Sequence, residues 1–307
     1  MNAREEFSAA LAVTAVGTGL GFASGRTQAV FCTQTGRASW IGAVFAALAF
    51  GLLAAMLAHL KRRTGAERFP GVYRRLLGCH AGGLIGGLYA AALVVAGTLL
   101  LASAAKTGAL VLPLRNAALW GALAALLLAG WIAVLGLRAL EAVGGAYLLL
   151  LLLLEAALWI FGRDPDPSRL QFAVDLRLRD SVAAALALGL LSACMSTALS
   201  AGVAVRACTG RTGPWGFGLF CALLFLLVNL AGNAALRCRC DEILSLRTPF
   251  AALAAQWGMT GFFICAGMTF LGASVALAGV FLSLLRRKMG AVGHVGMLNS
   301  KKMPFFH

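Results

Sequence analysis

Runs of about 18 or more apolar residues recur along this chain, and each is long enough to cross roughly 30 Å of hydrocarbon as a helix. A water-soluble domain is about half apolar and a quarter charged. Here 61% of the 307 residues are hydrophobic, 12% are charged and the mean hydropathy is +0.87, more apolar surface than a soluble fold can hide. Backbone groups in hydrocarbon must be satisfied within the spanning segment itself, so the pattern predicts an all-α, polytopic membrane protein. About eight segments are expected, at roughly 8–35, 39–60, 80–105, 117–137, 143–161, 181–205, 215–236 and 257–285, forming one transmembrane domain over 1–288 with a cytoplasmic tail over 289–307. The polar stretch 163–180, with Pro165 and Pro167, reads as an aqueous loop.

The net charge is +15, yet Lys and Arg sit mostly in short loops between apolar runs, leaving no basic domain to hold a nucleic acid. Lys61, Arg62, Arg63, Arg68, Arg74 and Arg75 crowd the loop after the second segment. Counting basic residues by alternating side places both termini in the cytoplasm, in a plasma membrane. Trp40, Trp120, Trp159 and Trp215 lie near segment ends, where interfacial anchors belong. The lipid bilayer is therefore the first expected partner. The cysteines are mostly scattered singly in apolar stretches, as small hydrophobes. The close pair Cys238 and Cys240 lacks zinc-type spacing and a nearby His, so no metal is expected. Neither a His-Glu-x-x-His, a Gly-x-Ser-x-Gly nor a phosphate-loop motif occurs, which argues against an enzyme.

The middle of the first segment reads Val16-Gly17-Thr18-Gly19-Leu20-Gly21-Phe22-Ala23-Ser24-Gly25. Each interior Gly costs a helix up to about 1 kcal/mol relative to Ala. Two readings account for keeping them. Gly17, Gly21 and Gly25 are spaced at four, as in close helix packing. Alternatively the helix is discontinuous, and its freed carbonyls and amides line a solute or ion site.

Gly19-Leu20-Gly21-Phe22-Ala23-Ser24-Gly25 resembles the first-helix signature of the YkvI-type membrane proteins, a branch of the amino acid/polyamine/organocation transporters with the LeuT fold. That family's pattern runs on to Gln-Glu, where Arg26 and Thr27 stand here, and then into a short half-helix such as Gln28-Ala29-Val30-Phe31. Pro249-Phe250-Ala251-Ala252-Leu253-Ala254 is similar to the family's Pro-initiated helix before the eighth span. The resemblance implies a LeuT-like fold with a broken first helix and, since the chain ends after the eighth segment, a truncated second repeat.

It further implies a secondary transporter of a small, amino-acid-like solute working by alternating access. The solute would be held around Thr18, Gly19, Gly21, Phe22, Ala23, Ser24, Gly25 and Arg26. The paired sixth segment, with a matching weak point, would add Ser192, Ser196, Thr197 and Ser200, although Ser and Thr in membrane helices often bond their own backbone. A sodium ion would rest on the carbonyls of Ala15, Thr18 and Ala266 and the hydroxyl of Thr269. Glu155, inside an apolar run, is the candidate proton carrier or a counter-ion to Arg26; the alternative is a structural pairing with another helix, or an approach to the outer interface about a turn before Trp159. The coupling ion is thus Na+ or H+, with no other cofactor. The rival reading is a non-transporting, truncated component that packs with a partner subunit, or with its own copies, through small-residue faces.

Overall fold

In a computed structural model, residues 3–19, 21–161, 181–209, 212–237, 248–254 and 257–285 are described. The expected loop 163–180, the Cys238–Cys240 pair and the tail 289–307 lie outside them. Among the described residues the chain is all-helical, with no strand. In chain order the helices are α1 (Ala3–Thr18), α2 (Arg26–Phe31), a 3-10 turn (Thr33–Ala38), α3 (Ser39–Thr64), α4 (Phe69–Val111), α5 (Ala117–Leu135), α6 (Leu137–Phe161), α7 (Val182–Ala207), α8 (Pro214–Arg237), α9 (Pro249–Ala254) and α10 (Gly258–Leu284). Seven are long and apolar enough to cross a membrane: α3 with its preceding turn, α4 to α8, and α10. This is a multi-pass membrane protein.

The expected eighth crossing, the first segment, is not one of these seven because it is broken. Its first piece, α1, has 16 residues. The third expected span is also longer than the sequence suggested. Pro70 opens α4 in its first turn, and residues 69–77 then double back at Gly78 (φ 82°, ψ 177°), so a Cβ on Gly82 would lie 2.5 Å from Arg74 Cα and one on Gly86 2.9 Å from Pro70 Cβ. Arg74 and Arg75, expected in a loop, therefore sit on helix. The fifth span begins at Leu137 rather than near 143, because one residue, Gly136, separates it from α5.

α1 is the hub. It packs against α6, α7, α8 and α10, while α3 lies against α7 and α8, and α4 against α5 and α10. With lipid as apolar as the side chains, close backbone approach supplies the contact energy, and glycines mark each of these crossings. A Cβ on Gly51 of α3 would stand 2.6 Å from the Gly218 carbonyl of α8 and 2.5 Å from Ala222 Cβ. On Gly189 of α7 it would meet the Gly42 carbonyl at 2.5 Å, and on Gly144 of α6 it would meet Ala15 at 2.8 Å. Leucines fill the outer surface, among them Leu84, Leu88 and Leu99 on α4 and Leu126 and Leu127 on α5, all exposed. The four tryptophans named above are exposed near the ends of α3, α5, α6 and α8.

Replacing Gly51 by Leu is expected to destabilise the detergent-solubilised protein by about 3 kcal/mol or more, by forcing α3 off α8. Gly130→Ala, where a Cβ meets open space, should stay within about 0.5 kcal/mol of the parent. Thermal unfolding midpoints of the two variants check the pair.

Candidate functional site

After Thr18 the amide bonds shorten their reach. Gly19 N donates to Val16 O (3.3 Å), Gly21 N to Gly19 O (3.2 Å) and Gly25 N to Phe22 O (2.8 Å), so the four-residue helical ladder is lost until Ala29 N reaches Gly25 O at 2.9 Å. Gly21 (φ 88°) and Gly25 (φ 76°) carry the left-handed conformations that turn the chain, each costing an L side chain about 1–2 kcal/mol. Space closes the same positions. A Cβ on Gly25 would lie 2.8 Å from the Phe250 ring, and one on Gly21 would run into the Thr27 hydroxyl. The glycines divide between two structural roles: Gly17 sits inside α1 in close packing, where a Cβ would meet the Ser196 carbonyl at 3.2 Å, while Gly21 and Gly25 make the break.

Side chains and a neighbouring helix tie the break down. Ser24 Oγ donates to Gly21 O at 2.9 Å and accepts from Arg26 N at 3.3 Å. The Ser24 carbonyl accepts from Phe250 N of α9 at 3.1 Å. Tyr147 of α6 donates to the Thr18 carbonyl at 3.3 Å. Phe22 and Ala23 are buried, and Phe22 meets Phe225 of α8 edge to face at 5.5 Å between centroids.

Beside the break lies a pocket of about 60 Å³, walled by Gly17, Phe22, Thr27 and Phe31 on one side and Ser192, Met195 and Ser196 of α7 on the other. That space holds a few waters or the head of a small solute. Ser192 Oγ is buried there without a hydrogen-bond partner. Thr197 Oγ1 is likewise buried and unpartnered, whereas Ser200 donates to the Ser196 carbonyl of its own helix at 2.8 Å. The expected weak point in the sixth segment is not a break: α7 is continuous from Val182 to Ala207. Its small residues serve instead as the floor on which α1 and α3 pack.

The four residues expected to hold sodium do not converge. Thr18 Oγ1 donates to Thr14 O at 2.9 Å and Ala15 O at 3.3 Å, and Thr269 Oγ1 donates to Cys265 O at 2.9 Å. The α10 residues that meet α1 lie further along: a Cβ on Gly19 would touch Ala276 and the Gly272 carbonyl, each at 2.5 Å, and one on Gly279 would touch Val16 at 2.6 Å. Ala15 is thus level with Gly279, and Ala266 lies about 20 Å away along the α10 axis at 1.5 Å per residue.

Glu155 has no exposed surface, and its bonded partner is Gln28 of α2, whose Nε2 donates to Glu155 Oε1 at 2.7 Å. Arg26, the counter-ion considered from sequence, is exposed. Further buried polar groups follow Gln28. Cys32 Sγ donates to Asn229 Oδ1 at 3.4 Å, Thr33 Oγ1 to Asn233 Oδ1 at 3.2 Å, and Asn233 Nδ2 to Ser39 Oγ at 3.1 Å. Sequence reasoning passed over Gln28, Asn229 and Asn233. The available signal was two Asn four residues apart, on one face of an otherwise apolar helix, in a medium where unpaired amides are costly. Among the described residues no cluster of metal-ligating side chains occurs.

Compared with protein-family models and with curated proteins, the chain matches none of them.

Gly25→Ala should destabilise the protein by about 1–3 kcal/mol through backbone strain and collision with Phe250. Ser24→Ala, which loses two hydrogen bonds, should cost about 1 kcal/mol. Denaturant or thermal unfolding in detergent checks both; equal stability of Gly25→Ala and the parent contradicts the turn geometry.

Proposed function

We propose that this chain is a secondary transporter of a small, amino-acid-like solute, built on a LeuT-like plan shared with the YkvI-type proteins. The supporting observation is that the broken first segment and α7 face each other across a pocket into which the unpartnered hydroxyl of Ser192 is buried. Phe22, Phe31 and Met195 offer apolar walls, and Thr27, Ser192 and Ser196 offer hydroxyls, a mixture suited to a solute with one polar end and one short apolar end. The helix arrangement is compatible with that plan: α1 and α3 lie against α7 and α8, with α4, α5 and α10 packed together alongside. α1 and α2 then form the eighth crossing in two pieces, and displacement of either piece would open the pocket to one side. On this reading the protein sits in the plasma membrane with its N-terminus in the cytoplasm.

The second reading, a non-transporting subunit, draws on Gly83, Gly87 and Gly130, which have open space where a side chain would stand, as a helix from a partner or a second copy would require.

Uptake of a radiolabelled mixture of free amino acids into proteoliposomes separates the two. The transporter reading predicts uptake above protein-free vesicles, falling at least tenfold in Ser192→Leu, which fills the pocket, and in Gly21→Leu, which cannot make the turn. Uptake that is unchanged in both variants, or absent in the parent, overturns it.

A further inference from the structure

Building on the transporter reading, we infer that the coupling ion is a proton carried on Glu155, and that Gln28 links its presence to the seating of α2 against α8. Gln28 Nε2 spends both hydrogens, on Glu155 Oε1 at 2.7 Å and on the Val228 carbonyl at 2.9 Å. Two acceptors are left over. Glu155 Oε2 and Gln28 Oε1 are both buried with no donor. A carboxylate here would be an anion in a membrane interior with no cation against it, which burial disfavours. A proton on Oε2 removes the charge and turns that oxygen into a donor, and the amide already bonded to the carboxyl presents the acceptor it needs. One proton therefore satisfies both orphaned oxygens, closing an acid–amide pair between α6 and α2.

The surroundings leave the proton as the ion that fits. Besides α2, whose one charged residue, Arg26, is exposed, the elements packed on α6 are α1, α5, α8, α9 and α10. Among their described residues none sets a charged side chain against Glu155; the titratable group facing it is Tyr147 of α6 itself, whose hydroxyl is engaged by the Thr18 carbonyl. A sodium ion wants about six oxygens, and the residues expected to supply them are spread along α1 and α10. Gly232 of α8 makes the recess for the Gln28 amide, because a Cβ there would collide with it. Seating of α2 in that recess thus accompanies a protonated Glu155. When α2 withdraws, Gln28 leaves, water enters, and the carboxyl releases its proton to that water. Solute and proton are bound by the same moving piece, since Thr27 and Phe31 of α2 wall the pocket.

Infrared difference spectroscopy and transport together test this. The wild-type protein at neutral pH should show a protonated-carboxyl carbonyl band that is missing in Glu155→Gln and shifted in Gln28→Leu. In proteoliposomes given the labelled amino-acid mixture, an imposed pH gradient should drive accumulation by the wild type. Glu155→Gln should lose that accumulation at least tenfold while keeping solute exchange without a gradient. Wild-type and Glu155→Gln spectra that coincide overturn the inference, as does a Glu155→Gln variant that accumulates like the wild type. If the wild type takes up no amino acid, the transporter reading falls and the inference with it, even where the band places a proton on Glu155. Should Glu155→Gln fail to fold, the band and its shift in Gln28→Leu decide the location, and wild-type accumulation without a pH gradient equal to that with one overturns the coupling.

Discussion

Hydrocarbon offers no hydrogen bonds, so every amide and carbonyl that leaves the helical ladder inside a membrane must find a partner in the protein. The break between α1 and α2 is where this chain meets that constraint, and much of its architecture answers to it. Ser24 folds onto the turn, Phe250 N of α9 takes the Ser24 carbonyl, and Tyr147 takes the Thr18 carbonyl. α1 is surrounded by four helices because an interrupted segment cannot face lipid. The seven longer helices satisfy their own backbones and are free to form the wall.

What holds that wall around the hub is proximity rather than apolarity. Helix crossings are closed by glycines whose missing side chains let backbones meet, as at Gly51 against Gly218 and Gly189 against Gly42. Such contacts gain dispersion energy that lipid cannot match once backbones touch. The polar groups follow a different logic. Gln28, Asn229, Asn233, Thr33 and Ser39 are each buried, and they are affordable only as members of one chain of bonds running from α2 along α8. A single change in that chain strands a neighbour, so it favours one arrangement of α2 over others.

The apolar runs alone specified an all-helical membrane protein, and the spacing of Gly17 to Gly25 marked the first segment as the weak one, because both signals are local. The course of individual segments was less legible, where local signals mislead. The first run is apolar enough to span but is broken by the positive φ angles of Gly21 and Gly25. The basic stretch around Arg74 reads as loop, though a Pro at its start and a reversal at Gly78 make it helix. Ser192 to Gly202 resembles a break and is straight helix, since its small residues are used for packing against α1 and α3. The Glu155 partner was illegible: Gln28 is 127 residues away in sequence, and nothing in the spacing of either residue encodes a contact that depends on how α2 turns.

The most direct test of the central claim, that the first segment is interrupted and opens onto a pocket, is residue-resolved amide hydrogen exchange in lipid nanodiscs. The account predicts that amides between α1 and α2 exchange far faster than those of Ala9 to Val16 and of α3, and slow when free amino acids are added. Protection across the break equal to that of α1, unaltered by amino acids, would contradict it.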